Sequence, residues 1–377
     1  MIPYSTQDIN EADIKAVTAV LRSGWLTQGP SLERFEKAIA KKVGSKFAVA
    51  FNSGTAALHS AYFVAGIGKG DEVIVPSLTF AATANAVLYL GAKPVFADSD
   101  IETGNMSVAD TKKKITKKTK AIVAVDYGGR PADLREFKAL AKKHKLVFIE
   151  DAAQALGAEY RGKPVGALAD MTMFSFHPVK SITTGEGGVI TTNNEKYVRA
   201  LRLFRSHGIS KNTKTFARKN HGAWYQEMQE LGFNYRMPEM SAALGESQLK
   251  RLDSFISKRR DAAKRYEKLL RYVPNIMLPI AERTYEKSAW HLYPIRLNMG
   301  ITQRDEVFAK LRKAGIGVQV HHLPVHTHLY YEKLGYKKGL CPSAEAFVAS
   351  EISIPLFPGI TKKQQEFIVE TLQKAIG

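Results

Sequence analysis

The run Lys145-Leu146-Val147-Phe148-Ile149-Glu150-Asp151-Ala152-Ala153-Gln154 decides the architecture, because an apolar segment of strand length, 146–150, ends abruptly in acids. The residues before it, 132–143, carry apolar side chains at helical spacing. A helix feeding a strand that is apolar on both faces is the repeating unit of a parallel sheet with crossover helices. The same alternation extends over roughly residues 45 to 195. It predicts strands at 47–51, 72–75, 94–97, 121–126, 146–150, 172–176 and 189–192, with helices at 55–64, 79–90 and 132–143 between them. The fold class is therefore α/β.

Further along, 239–270 is highly charged but carries Leu244, Leu249, Leu252, Ile256 and Tyr266, which predicts one long amphipathic helix leaving the first domain. Strands at 292–297 and 317–321 and helices at 304–314 and 362–376 then suit a smaller α+β lobe. The expected division is an amino-terminal arm over residues 1–24, a large domain over 25–248 and a small carboxyl-terminal domain over 249–377.

Composition sets the broad class. The chain has 377 residues, 45% of them apolar and 24% charged, so it has enough apolar side chains for a large core. The start, Met1-Ile2-Pro3-Tyr4-Ser5, lacks a basic and then apolar leader, and no apolar run is long enough for a bilayer, so a cytoplasmic enzyme without membrane partners is expected. The single cysteine, Cys341, has no internal disulfide partner and is expected to be a packed residue. Lys and Arg exceed Asp and Glu by 19, which raises nucleic-acid binding as an alternative. The basic runs around Lys112-Lys113-Lys114 and Lys258-Arg259-Arg260 have no base-reading motif or interleaved aromatics beside them. No nucleic-acid partner is expected; the charge serves solubility and favours anionic small molecules.

Three motifs carry the chemistry. Asn52-Ser53-Gly54-Thr55-Ala56-Ala57 sits between a strand and a helix. Free N–H groups and the positive dipole end make such a junction a phosphate site, although Ser-Gly-Thr is also an ordinary helix cap. Asp151 ends its strand where an open α/β sheet meets its ligand. Pyridoxal phosphate needs a carboxylate there to keep its ring nitrogen protonated; alone, Asp151 reads equally as a helix cap. Phe174-Ser175-Phe176-His177-Pro178-Val179-Lys180 then leads into the glycine-rich Gly185-Glu186-Gly187-Gly188. A lysine just past a buried strand can bond to the aldehyde carbon of that cofactor once its amine is neutral.

Together with Gly232-Phe233-Asn234-Tyr235-Arg236-Met237 and Trp25-Leu26-Thr27-Gln28-Gly29-Pro30, these runs resemble the DegT/DnrJ/EryC1/StrS family of sugar aminotransferases over nearly the whole chain. The resemblance implies a fold-type I pyridoxal-phosphate transferase, a large domain with a mostly parallel sheet plus a smaller α+β domain, working as a homodimer with shared sites. It implies that Lys180 bonds to the cofactor and shuttles a proton, Asp151 pairs with the ring nitrogen, Gln154 contacts the ring substituents and Phe80 stacks on the ring. Gly54, Thr55 and Ser175 would hold the phosphate, with Asn234 reaching in from the other subunit. Tyr4, Gly24, Trp25, Leu26, Thr27, Gln319, His321, His322 and His328 would meet the sugar nucleotide, the histidines through its diphosphate or sugar hydroxyls.

No metal is expected at His321, His322, His326 and His328, because the supporting carboxylate or cysteine is not recognisable. The implied donor is L-glutamate. Val125-Asp126-Tyr127, Phe204-Arg205-Ser206-His207-Gly208, His291-Leu292-Tyr293-Pro294-Ile295 and Val318-Gln319-Val320-His321-His322 resemble family members acting at carbon 4 of a UDP-linked 4-keto-6-deoxy-N-acetylhexosamine. Another keto-sugar is the alternative. A family dehydratase would have a histidine where this chain has Lys180, and a non-catalytic cofactor-binding protein would not need the Lys180 and Asp151 set.

Overall fold

The computed structural model describes residues 1–218 and 222–377. Its central sheet contains β1 (Phe47–Phe51), β2 (Glu72–Pro76), β3 (Lys93–Ala97), β4 (Thr119–Val125), β5 (Val147–Asp151), β8 (Met171–Ser175) and β9 (Gly188–Thr192). The small strands β6 (Glu159–Tyr160) and β7 (Lys163–Pro164) form a hairpin between β5 and β8. The sheet order is β1-β9-β8-β5-β4-β2-β3, and β3, β2, β4, β5 and β8 run parallel. β9 runs antiparallel to both β8 and β1. The reversal follows from the link: residues 176–187 contain no crossover helix, so the chain returns beside the strand it has just left. That return loop carries Lys180.

Alternation along the strands builds two apolar layers. Ala48, Ala50, Ile122, Ala124, Phe148 and Phe174 face a core closed by α2 (Pro30–Val43) and α6 (Leu134–His144). Val49, Phe51, Val73, Val123, Ile149 and Met173 face the other side, closed by α3 (Gly54–Val64) and α4 (Ala82–Tyr89). Successive strand residues point to opposite faces, so Asp151 shares the α3–α4 side with Ile149 while Glu150 shares the α2–α6 side with Phe148.

Two sequence expectations are corrected. The segment 239–270 is not one helix but two, α8 (Glu239–Leu249) and α9 (Leu252–Leu270). Lys250 and Arg251 form a turn between the two, and the Arg251 guanidinium pairs with Asp8 at 2.7 Å and Asp13 at 2.5 Å. Those pairings hold the turn against the start of α1 (Glu11–Leu21). Segment 317–321 is not a strand either: Gln319 makes one isolated bridge to Ser353. Its neighbour is instead the amino terminus, which passes so close that a side chain at Gly317 would lie 2.8 Å from the Tyr4 nitrogen.

Beyond α9 a three-stranded antiparallel sheet, β12 (Ile276–Met277), β14 (Tyr293–Leu297) and β15 (Glu351–Ile354), packs its apolar face on α9, α10 (Ile301–Lys313) and α13 (Lys362–Ile376). Tyr266, Ile295, Leu311, Ile352 and Leu372 form this third core. Among the described residues no helix is long and apolar enough to cross a membrane.

Candidate active site

The carboxyl ends of β5 and β8, the amino end of α3 and the 176–187 loop surround a cavity of about 450 Å³. At its base Ser53 caps α3 by accepting from the Ala56 N–H at 3.0 Å. Gly54 then faces Ser175: a Cβ there would lie 3.3 Å from the Ser175 hydroxyl oxygen. A bare glycine beside a serine, at a helix end with unpaired N–H groups and Thr55 adjacent, makes a cradle for an anion.

The Lys180 loop is pinned from within. Phe176 donates its N–H to Gly187 at 2.9 Å, Thr184 donates to the Phe176 carbonyl at 3.0 Å, and Lys180 donates its backbone N–H to His177 at 2.9 Å. Phe176 and Ile182 anchor this frame in the core, leaving the Lys180 side chain at the cavity. Burial lowers the amine's pKa to about 8, opposed by the negative charge of Asp151.

Asp151 is buried and doubly held. One oxygen accepts from the Thr83 hydroxyl at 2.8 Å and the other from the Ala153 N–H at 3.1 Å. Because Thr83 spends its only hydroxyl proton on Asp151, its 2.8 Å contact to Thr79 must be donated by Thr79. Burial raises the Asp151 pKa, while Thr83, Ala153 and Lys180 favour the charged form. Gln154 accepts the Gly128 N–H on Oε1 at 2.7 Å, which fixes the amide and leaves its NH₂ group available to the cavity. Phe80, 63% exposed at the rim, meets the edge of His322 with ring centroids 5.7 Å apart.

Over the cavity sit Tyr4, His291, His321 and His322. Tyr4 lies 5.4 Å from the His321 ring, and the Tyr127 hydroxyl donates to the His321 carbonyl at 2.5 Å. Burial and, next, Lys180 push His321 down to about 4. Burial likewise drives His322 and His291 well below the usual imidazole range. Buried nitrogens His291 Nδ1, His321 Nδ1 and His322 Nε2 have no partner among the described residues. These rings are neutral hydrogen-bonding groups.

The cavity thus brings together Tyr4, Gly54, Thr55, Phe80 and Asp151 with Gln154, Ser175, Lys180, His321 and His322. It does not include Gly24, Trp25, Leu26 or Thr27, which are exposed on the outer side of the chain, nor the exposed Gln319. His328, just before α11 (Leu329–Lys333), is near enough to lower His322 through its charge but does not line the cavity. Asn234 is exposed, its carbonyl 3.5 Å from the Asn52 amide nitrogen. His326 bonds Ser77 at 2.7 Å and Glu345 at 2.9 Å, a structural tie. Among the described residues no group of three or more His, Cys, Asp or Glu side chains is placed to hold a metal ion. Sequence reasoning gave no role to Thr83, Tyr127 or His291; Thr83 and Tyr127 lie far along the chain from Asp151 and His321, which they hold, and His291 reaches the cavity from another distant segment.

The donors and acceptors fit pyridoxal phosphate: an anion cradle at Gly54 and Ser175, a carboxylate at Asp151 and a lysine amine of lowered pKa converge on one cavity. A model of the DegT/DnrJ/EryC1/StrS aminotransferase family matches residues 7–373. A Campylobacter jejuni UDP-4-amino-4,6-dideoxy-N-acetyl-beta-L-altrosamine transaminase is 41% identical, covering 99% of this chain and 96% of its own. Helicobacter pylori PseC, described as an aminotransferase involved in the biosynthesis of pseudoaminic acid, superposes with a TM-score of 0.92 at 35% identity, covering 100% and 99% of the two chains. The PLP form of a putative sugar aminotransferase from Streptococcus pneumoniae, Spr1654, gives 0.93 at 31% identity, covering 100% and 98%.

Proposed function

The chain belongs to the DegT/DnrJ/EryC1/StrS aminotransferase family and is a pyridoxal-phosphate-dependent nucleotide-sugar aminotransferase; from that premise we propose that it moves the amino group of L-glutamate to carbon 4 of a UDP-linked 4-keto-6-deoxy-N-acetylhexosamine, UDP-2-acetamido-2,6-dideoxy-β-L-arabino-hexos-4-ulose, in pseudaminic acid biosynthesis. The observation that carries the reaction class is the convergence of Lys180 and Asp151 on one cavity at the amino end of α3. The choice of sugar is supported by the 41% identity to the altrosamine transaminase.

Bound pyridoxal phosphate supplies the electron sink. In this reading Gly54, Thr55 and Ser175 bind its phosphate, Asp151 holds the proton on its ring nitrogen, and Gln154 and Phe80 orient the ring. Lys180 takes a proton at Nζ from the reacting carbon and returns it one step later, a role suited to an amine with a pKa of about 8. Neutral His321 and His322 are suited to the sugar's hydroxyl and amide groups rather than to balancing the diphosphate charge. Asn234, Trp25 and Leu26, exposed here, are read as contributions to the site of a second copy in a homodimer.

Absorption spectra test the proposal. L-glutamate should abolish the visible band of the lysine-bound cofactor, and the UDP-linked 4-keto-sugar should restore it, with a product whose mass shows ketone replaced by amine. A band indifferent to glutamate overturns the assigned donor; a glutamate response with no sugar turnover overturns the assigned sugar in favour of another nucleotide-linked ketone.

A further inference from the structure

Directly behind Asp151, on the opposite face of the sheet, two carboxyl groups lie in the core where water does not reach. Asp126, at the end of β4, and Glu150, on β5, are each 0% exposed. One oxygen of each has a donor: Asp126 Oδ1 accepts the Ala132 N–H at 2.8 Å, and Glu150 Oε2 accepts the Thr172 hydroxyl at 2.8 Å. The remaining oxygens, Asp126 Oδ2 and Glu150 Oε1, have no donor among the other described residues. Two ionised carboxylates cannot face each other in a dry interior, and an unpaired buried acceptor is costly. A single proton between those two oxygens removes both problems: every carboxyl oxygen then has a partner, and only one charge remains.

We propose that Asp126 Oδ2 carries a proton that it donates to Glu150 Oε1, and that this proton-sharing pair is a positioning device for Asp151. The proton comes from solvent when the chain folds. Burial raises both acids, and contact with Glu150 pushes Asp126 up further while the donated proton favours charge on Glu150. Two links reach Asp151. Glu150 is its covalent neighbour on β5, and the Asp126 N–H donates to the Asp151 carbonyl at 3.1 Å, so the pair locks the two strand ends that aim the Asp151 carboxylate. The one remaining negative charge also favours the positive charge of a protonated ring nitrogen facing Asp151. Thr172 on β8 extends the lock to the strand that carries Ser175.

The proton itself is independent of the reaction, whereas its use rests on reading Asp151 as the cofactor's partner, so the test has two arms. Infrared spectra of the full chain without cofactor, at neutral pH, should show the carbonyl stretch of a protonated carboxylic acid. The part of that band due to the pair should be lost in both Asp126→Asn and Glu150→Gln, as a negative feature in each variant-minus-parent spectrum, because a single amide supplies the shared hydrogen and leaves its partner ionised; Glu351, which burial pushes up to about 8, contributes equally to parent and variants. A band unchanged in either variant overturns the pair and leaves the aminotransferase reading untouched. In the second arm, equilibrium binding of pyridoxal phosphate should stay within about threefold of the parent in Glu150→Gln and weaken about tenfold or more in Glu150→Ala, whose loss of a charged hydrogen bond nothing replaces. Equal losses in both variants, or none in either, overturn the positioning role. If Asp151→Asn binds cofactor like the parent, the reading of Asp151 fails instead.

Discussion

A lysine amine attacks an aldehyde only when neutral, so the burial of Lys180 matters more than its presence. With a pKa of about 8, its neutral fraction grows as pH rises through that value and saturates above it. Stopped-flow capture of pyridoxal phosphate by the cofactor-free protein should therefore accelerate between about pH 7 and 9 and then level off, whereas a lysine near the ordinary value of about 10.4 would keep accelerating. A rate still climbing at high pH would contradict the burial effect. Lys180 was legible in the sequence because the strand before it and the glycines after it are local signals. The charge of the histidines was not. His321 and His322 read from the sequence as diphosphate or hydroxyl contacts, and only their depth beside Lys180 makes them neutral. His291 stood in a quoted motif without a role, yet it lies in the same roof.

Among the elements, the junction of α2 and α8 shows how one side chain sets an approach. Glu239, buried in the first turn of α8, accepts the N–H groups of Gly29 at 3.0 Å, Ser31 at 2.7 Å and Leu32 at 3.0 Å. It thus caps α2 across more than two hundred residues, doing the work that Gly29 at the cap position has no side chain to do. Its own N–H holds the Leu26 carbonyl at 3.1 Å, so the same residue fixes Trp25-Leu26-Thr27 on the outside. Glu239→Ala should lower unfolding free energy in urea by about 1.5–3 kcal/mol, and Glu239→Gln by less, since an amide oxygen still accepts. Equal stability of all three proteins would mean the cap is dispensable. The seven strands of the central sheet were legible to within a residue or two because both-face burial writes continuous apolar runs. The break between α8 and α9 was not, because Arg251 turns toward Asp8 and Asp13, partners no helical period reveals.

For the molecule as a whole, the residues assigned to the site but absent from this chain's cavity make a testable pattern. If Asn234 serves a neighbouring copy, mixing Lys180→Ala subunits, which lose the factor of about 10²–10⁴ in rate of a general acid–base group, with Asn234→Ala subunits, weakened in cofactor binding, should restore up to about one working site per mixed dimer. No recovery after confirmed subunit exchange would place Asn234 in its own subunit's site or outside both. The sequence by itself determined the α/β class through apolar periodicity, and the cofactor and reaction class through the family resemblance that the motifs at Gly54, Asp151 and Lys180 carry, because both are written in covalently adjacent residues. Only the tertiary structure decided that β9 runs against its neighbours, that Thr83 and Gln154 are held from other segments, and that Tyr4, His291 and His321 close over Lys180. The physical reason is that hydrogen-bond partners and charge states depend on burial and on contacts between distant segments, and neither is encoded in local spacing.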